Sequence, residues 1–212
     1  METQHLLPLT TILLLGAFHG INPGMGWLFA VALGMQERRE GAVWRALIPL
    51  TLGHGMAIAA VILIAVAAGV AVPATSLKLP VAMTLAVLGI YRLVRHSHFT
   101  GGGMRVGMRG LTFWSFLMAT CHGAGLMVLP AFLGMTAAQG ASCHVPAAAT
   151  ASAWMGITTT LVHGAGYLIV TAAAAWVVYT KLGVGLLRKA WFNLDLIWAV
   201  ALIATGVLTV VM

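Results

Sequence analysis

The stretch LLLGAFHGINPGMGWLFAVALGM, residues 13–35, decides how the chain is read, because its plan returns in FLMATCHGAGLMVLPAFLGM, residues 116–135. Each is an apolar run with a His-Gly pair inside it and Leu-Gly-Met at its end. The runs that follow also match: TLGHGMA at 51–57 pairs with TLVHGAG at 160–166, aligning Thr51 with Thr160, His54 with His163 and Gly55 with Gly164. The order is the same in both halves, so the sequence predicts a single domain over 1–212 built from two repeats, 1–95 and 105–212.

Composition points to a membrane. Of 212 residues, 61% are hydrophobic and 7% charged, against roughly 25% charged in a soluble globular domain. The mean hydropathy is +1.01. These values exclude a disordered tail, a nucleic-acid module and a disulfide-stapled secreted domain. The net charge of +7 comes from 11 Lys and Arg against 4 Asp and Glu. Those cations lie in short links between apolar runs, where they act as topology anchors. Two cysteines, Cys121 and Cys143, are too few for a disulfide framework.

A helix needs about 20 residues to cross the hydrocarbon core. Apolar runs at 6–34, 46–71, 80–95, 111–138, 148–178 and 192–212 predict six transmembrane helices. The third is the shortest, and the first, fourth and fifth are long enough to tilt or contain a break. The first run is not expected to be a signal peptide, since Glu2 rather than a basic region precedes it. Ten of the eleven cations fall in alternate links: Arg38, Arg39 and Arg45, then Arg92, Arg95, Arg105 and Arg109, then Lys181, Arg188 and Lys189. Lys78 alone lies on the other side. The odd-numbered links are therefore expected in the cytoplasm and both termini outside. The two halves then enter the membrane in opposite senses, a 3+3 inverted repeat of the kind found in many transporters.

His19, His54, His122 and His163 each precede a glycine deep in an apolar run. An ionisable side chain there is costly unless it has a partner or lines a wet cavity, so it marks a functional site by default. One such histidine alone is more simply a bond between helices. Four of them, paired by a repeat, predict a shared polar centre. The adjacent glycines are expected to let a helix or an ion approach the backbone. Pro23 and Gly24 are expected to break the first helix just after His19.

Neutral imidazole is the commonest protein ligand for transition metals. No Asp or Glu lies deep in a run, which disfavours Mg²⁺ or Ca²⁺. The expected ligand is a transition-metal ion, nickel, cobalt, zinc or copper(I), with Asn22, Met25, Met56 and Cys121 as secondary candidates. Cys121 and His122 are neighbours, pointing about 100° apart on a helix, and are not expected to share an ion unless the helix breaks there. Elsewhere, His96 and His98 read as loop, and Cys143 with His144 as an incidental external pair. His5 lies at the external end of the first run, and Asn193 and Asp195 are expected to pair with Arg188 or Lys189 at the membrane surface.

The segment GAFHGINPGMGWLFAVALG, residues 16–34, resembles the first-helix signature of the nickel/cobalt transporters, especially the NicO-type efflux permeases, which carry His-Gly-x-x-Pro-Gly in an early helix. The resemblance covers about 20 residues closely and falls on His19, Gly20, Pro23 and Gly24. It implies a metal permease of the bacterial inner membrane. Asn22 stands where those permeases commonly have an acidic residue, and Met25 where they have a second histidine, which implies a neutral, softer site. The long His-rich cytoplasmic loop of some of those permeases is missing.

The leading expectation is thus a permease carrying a transition-metal ion through a four-His site near the bilayer midplane. No G-x-x-x-x-G-K-[ST] occurs, so energy is expected from a gradient, with proton coupling through imidazoles, or from an additional subunit; a second copy of the chain is the other candidate partner. Two alternatives from other classes stand beside it: an intramembrane metalloenzyme with an open metal position, and bis-His haem ligation for electron transfer.

Overall fold

A computed structural model describes the backbone of residues 2–71, 74–94, 107–139, 145–182 and 194–211, and side chains within 7–68, 76–91, 93–94, 107–136, 151–181 and 196–210. Arg95, His96, His98, Arg105, Cys143, His144, Arg188, Lys189 and Asn193 lie outside the described residues, as do the side chains of His5, Arg92 and Asp195. The regular structure of the described residues is all-helical. It runs α1 (Glu2–Ile21), a 3₁₀ turn (Pro23–Met25), α2 (Trp27–Glu37), α3 (Glu40–Ala71), α4 (Ala74–Val94), α5 (Met108–Cys121), α6 (Ala124–Gln139), α7 (Val145–Val177) with a π-turn (Val178–Leu182), and α8 (Leu194–Val211).

Within α3 and α7, Glu40–Ala68 and Ala151–Lys181 are long and apolar enough to cross a membrane, and α5 with α6 makes a third candidate bent by 62°. Shorter apolar helices occur at Leu7–Ile21, Ser76–Tyr91 and Leu196–Val210. The outer face is far more apolar than that of a soluble domain, and several polar side chains lie within the apolar core. Leu14, Leu63, Ile64, Trp154, Leu161 and Ile169 face outward, while His19, His54, His163, Ser115, Thr159 and Thr171 are buried. Large exposed apolar faces around a core that also buries polar side chains suit a lipid surround.

Each expected apolar run becomes one helix or one broken helix. Proline alone does not decide where the breaks fall, since Pro49, Pro80 and Pro130 all sit inside continuous helices. At Pro80 the helix starts earlier than its apolar run suggested, at Ala74, and Thr84 Oγ1 donates to the Pro80 carbonyl at 2.8 Å. Inside the first and fourth apolar runs the helix breaks where glycine supplies a positive φ: Gly26 at φ 147° after the 3₁₀ turn, and Gly123 at φ 72° between α5 and α6. Asn22 stabilises the first break, its Oδ1 accepting from the Gly24 amide at 2.9 Å.

α1 packs along α7, α5 along α3, α3 on α7, and α4 along α8. The crossings are close because a small residue faces backbone. A Cβ on Gly16 would strike the His163 carbonyl, and one on Gly53 the Thr112 carbonyl. The α4–α8 crossing has matching halves: Gly89 faces Ala199 and Ile203, while Gly206 faces Ala82 and Ala86. Gly89 thus corresponds to Gly206, Ala82 to Ala199 and Ala86 to Ile203.

Candidate ion site

The helix crossings bring three histidines from three helices into one buried cluster. His19 ends α1, His54 lies inside α3, His163 lies inside α7, and all three are fully buried. Ring centroids are 5.6 Å apart for His19–His54, 5.1 Å for His19–His163 and 5.4 Å for His54–His163. His54 Nε2 and His163 Nε2 stand 3.2 Å apart, so one nitrogen carries a hydrogen that the other accepts.

His19 and His122 are held in the same way. Nδ1 of His19 lies 2.7 Å from the Leu15 carbonyl, and Nδ1 of His122 lies 2.8 Å from the Met118 carbonyl, four residues back in each case. A carbonyl only accepts, so each Nδ1 carries the hydrogen and each Nε2 keeps its lone pair. Fixing one ring nitrogen on a carbonyl so that the other presents a lone pair is the usual support for a metal-binding histidine. His19 Nε2 is buried with no hydrogen-bond partner, an uncompensated acceptor that a cation would satisfy.

Two aromatic residues complete the centre, and neither is evident in the sequence pattern. Tyr167, one turn beyond His163 on α7, stacks on His54 with centroids 3.9 Å apart and planes 3° from parallel. Its hydroxyl donates to the Met25 carbonyl at 2.7 Å, which ties the break after α1 to α7. Trp198 of α8 packs edge-on against His19 at 4.6 Å and against His122 at 5.5 Å. His163 could have pointed to Tyr167 through the i,i+4 spacing that puts both on one helix face. Trp198, near the start of the last run, reads instead as an interface anchor.

The secondary candidates separate. Asn22 is committed to its cap, and Met25 is buried in an apolar cluster with Leu85, Met127, Tyr167, Trp198 and Leu202. Met56 is 56% exposed and Cys121 is exposed, so both face away from the imidazoles. The role expected of the adjacent glycines holds in part. A Cβ on Gly20 would lie 2.7 Å from the Tyr167 carbonyl, and Gly123 makes the break, but Gly55 and Gly164 face nothing within 4 Å. At His54 the close approach belongs to Gly53 instead.

Two imidazoles on a tetrahedral ion with metal–nitrogen bonds of about 2.0–2.1 Å define an edge of about 3.3 Å. The 3.2 Å His54–His163 separation already approximates that edge. Among the described residues, however, no group of three or more His, Cys, Asp or Glu stands ready to hold a metal ion. Loading an ion therefore requires at least one ring to turn. Comparison with family models, curated proteins and solved structures yields no match.

Proposed function

We propose that the chain is an integral-membrane permease for a transition-metal ion, with His19, His54 and His163 as the central ligands and His122 beside them. The observation that carries this reading is the convergence of three buried imidazoles from α1, α3 and α7, one with an unpartnered lone pair and two already at the spacing of a ligand edge. The cluster is tight. Ring separations of 5.1–5.6 Å leave room for a single ion, and no slot for a haem macrocycle or an organic substrate. This favours the permease over the enzyme and the haem protein. With Met56 and Cys121 turned outward, the donors are imidazole nitrogens, which suit nickel, cobalt or zinc better than copper(I).

In this reading six segments span a bacterial inner membrane as a 3+3 inverted repeat, with the Arg-rich links in the cytoplasm and both termini outside. Support comes from the recurring order of broken, long and shorter helix, and from the matched halves of the α4–α8 crossing. Depth agrees as well. His54 lies fourteen residues from Glu40 and His163 fourteen residues from Val177. At about 1.5 Å per residue each is about 21 Å from the end of its helix next to the basic links.

The test is metal accumulation and sensitivity in cells with and without the protein, using nickel, cobalt and zinc in parallel. Wild type is expected to change the cellular content of one of these metals, and H19A, H54A and H163A to abolish the change. Normal transport by all three variants would overturn the reading.

A further inference from the structure

Trp198 is 3% exposed, and its indole touches His19 and His122 together, at centroid distances of 4.6 and 5.5 Å and interplanar angles of 63° and 69°. These are the two histidines that stand at helix breaks with Nδ1 anchored on the carbonyl four residues back. The α4–α8 crossing identifies the counterpart of the indole. Ala82 corresponds to Ala199, so the residue before each is Val81 in α4 and Trp198 in α8. Val81 packs against the same apolar cluster as Trp198. The crossing therefore sets an aliphatic side chain in α4 opposite an indole in α8, and the indole lies against the imidazoles.

We infer that Trp198 is a partition in the cation path, holding His122 out of the centre formed by His19, His54 and His163. The inference rests on the permease reading and adds how that site releases its ion. Four imidazoles closing on one ion would make a complete tetrahedral set, the arrangement of structural metal sites. Conduction needs binding that is favourable enough to admit an ion yet weak and divided enough to let it leave. With the indole in place the ion meets three histidines at one station and His122 at the next. With valine there, His122 joins the first station and the ion is trapped.

The test uses the full chain, purified in detergent and titrated with Co²⁺, whose visible bands intensify when the ion becomes tetrahedral. The same proteins in vesicles give Co²⁺ flux. W198V is expected to bind Co²⁺ about tenfold more tightly or better, with stronger bands and slower flux, and H122A added to W198V removes the gain. In the wild-type background H122A leaves Co²⁺ affinity within about twofold while lowering flux. If W198V does not fold, W198A takes its place in the same comparisons, with the same gain in Co²⁺ affinity expected and the same loss of that gain when H122A is added. If H122A weakens Co²⁺ binding as much in wild type as in W198V, the partition is overturned and the permease reading survives. Wild-type protein that binds and moves Co²⁺, nickel and zinc not at all overturns both.

Discussion

Replacing Tyr167 with Phe removes a hydrogen bond at the heart of the fold. The ring is fully buried and stacked on His54 at 3.9 Å, and Phe preserves both its volume and that stack. What disappears is the hydroxyl that donates to the Met25 carbonyl at 2.7 Å. Met25 belongs to the 3₁₀ turn where α1 gives way to α2. Leaving a buried acceptor unpaired costs about 1–3 kcal/mol. At roughly 2–4 °C per kcal/mol for a chain of this size, Y167F should melt about 2–12 °C below wild type in detergent. The loss should be local: the amides of Met25 and Gly26, bonded to the Asn22 and Pro23 carbonyls, are expected to exchange hydrogen faster, while Co²⁺ affinity changes little. An unaltered melting temperature together with unaltered exchange at these amides would refute the reasoning, because the carbonyl would then not depend on Tyr167.

Asn22→Ala removes the cap on the Gly24 amide and should lower stability by about 0.5–2 kcal/mol, read as a shift in thermal unfolding. Gly16→Ala places a Cβ against the His163 carbonyl, so α1 and α7 must separate; about 1–3 kcal/mol of stability and much of the metal affinity should go together, since His19 and His163 ride on those two helices. M56A and C121S should leave metal accumulation at the wild-type level, because both side chains face outward. The Arg45–Glu37 ion pair is exposed at 57% and 39%, so E37Q should change stability by no more than about 1 kcal/mol, less in high salt.

The sequence made the helices legible because apolar runs, unlike helix faces, need no tertiary information. All six runs became helices or broken helices, and the break after His19 could be read from Pro23 and Gly24. The break after His122 could not be placed, since no proline precedes it and Gly123 resembles every other glycine of the chain until its φ of 72° is known. The three central histidines were legible as ionisable groups in an apolar setting, where chemistry alone demands a partner. Met56 and Cys121 misled for the opposite reason. Sulfur is equally at home facing lipid or an ion, so only packing decides which way it turns. Trp198 was missed because nothing in an apolar run separates an aromatic platform from ordinary core, and Tyr167 because its i,i+4 relation to His163 gives a shared helix face but not a shared site.

The central claim is that His19, His54 and His163 hold one ion in common. Elemental analysis of protein purified from metal-supplemented cells tests it most directly, with wild type beside H19A, H54A and H163A, each shown to be folded. The expected result is about one nickel, cobalt or zinc ion per wild-type chain and its loss from every single variant. Equal metal in all four proteins, or none in any, would contradict it.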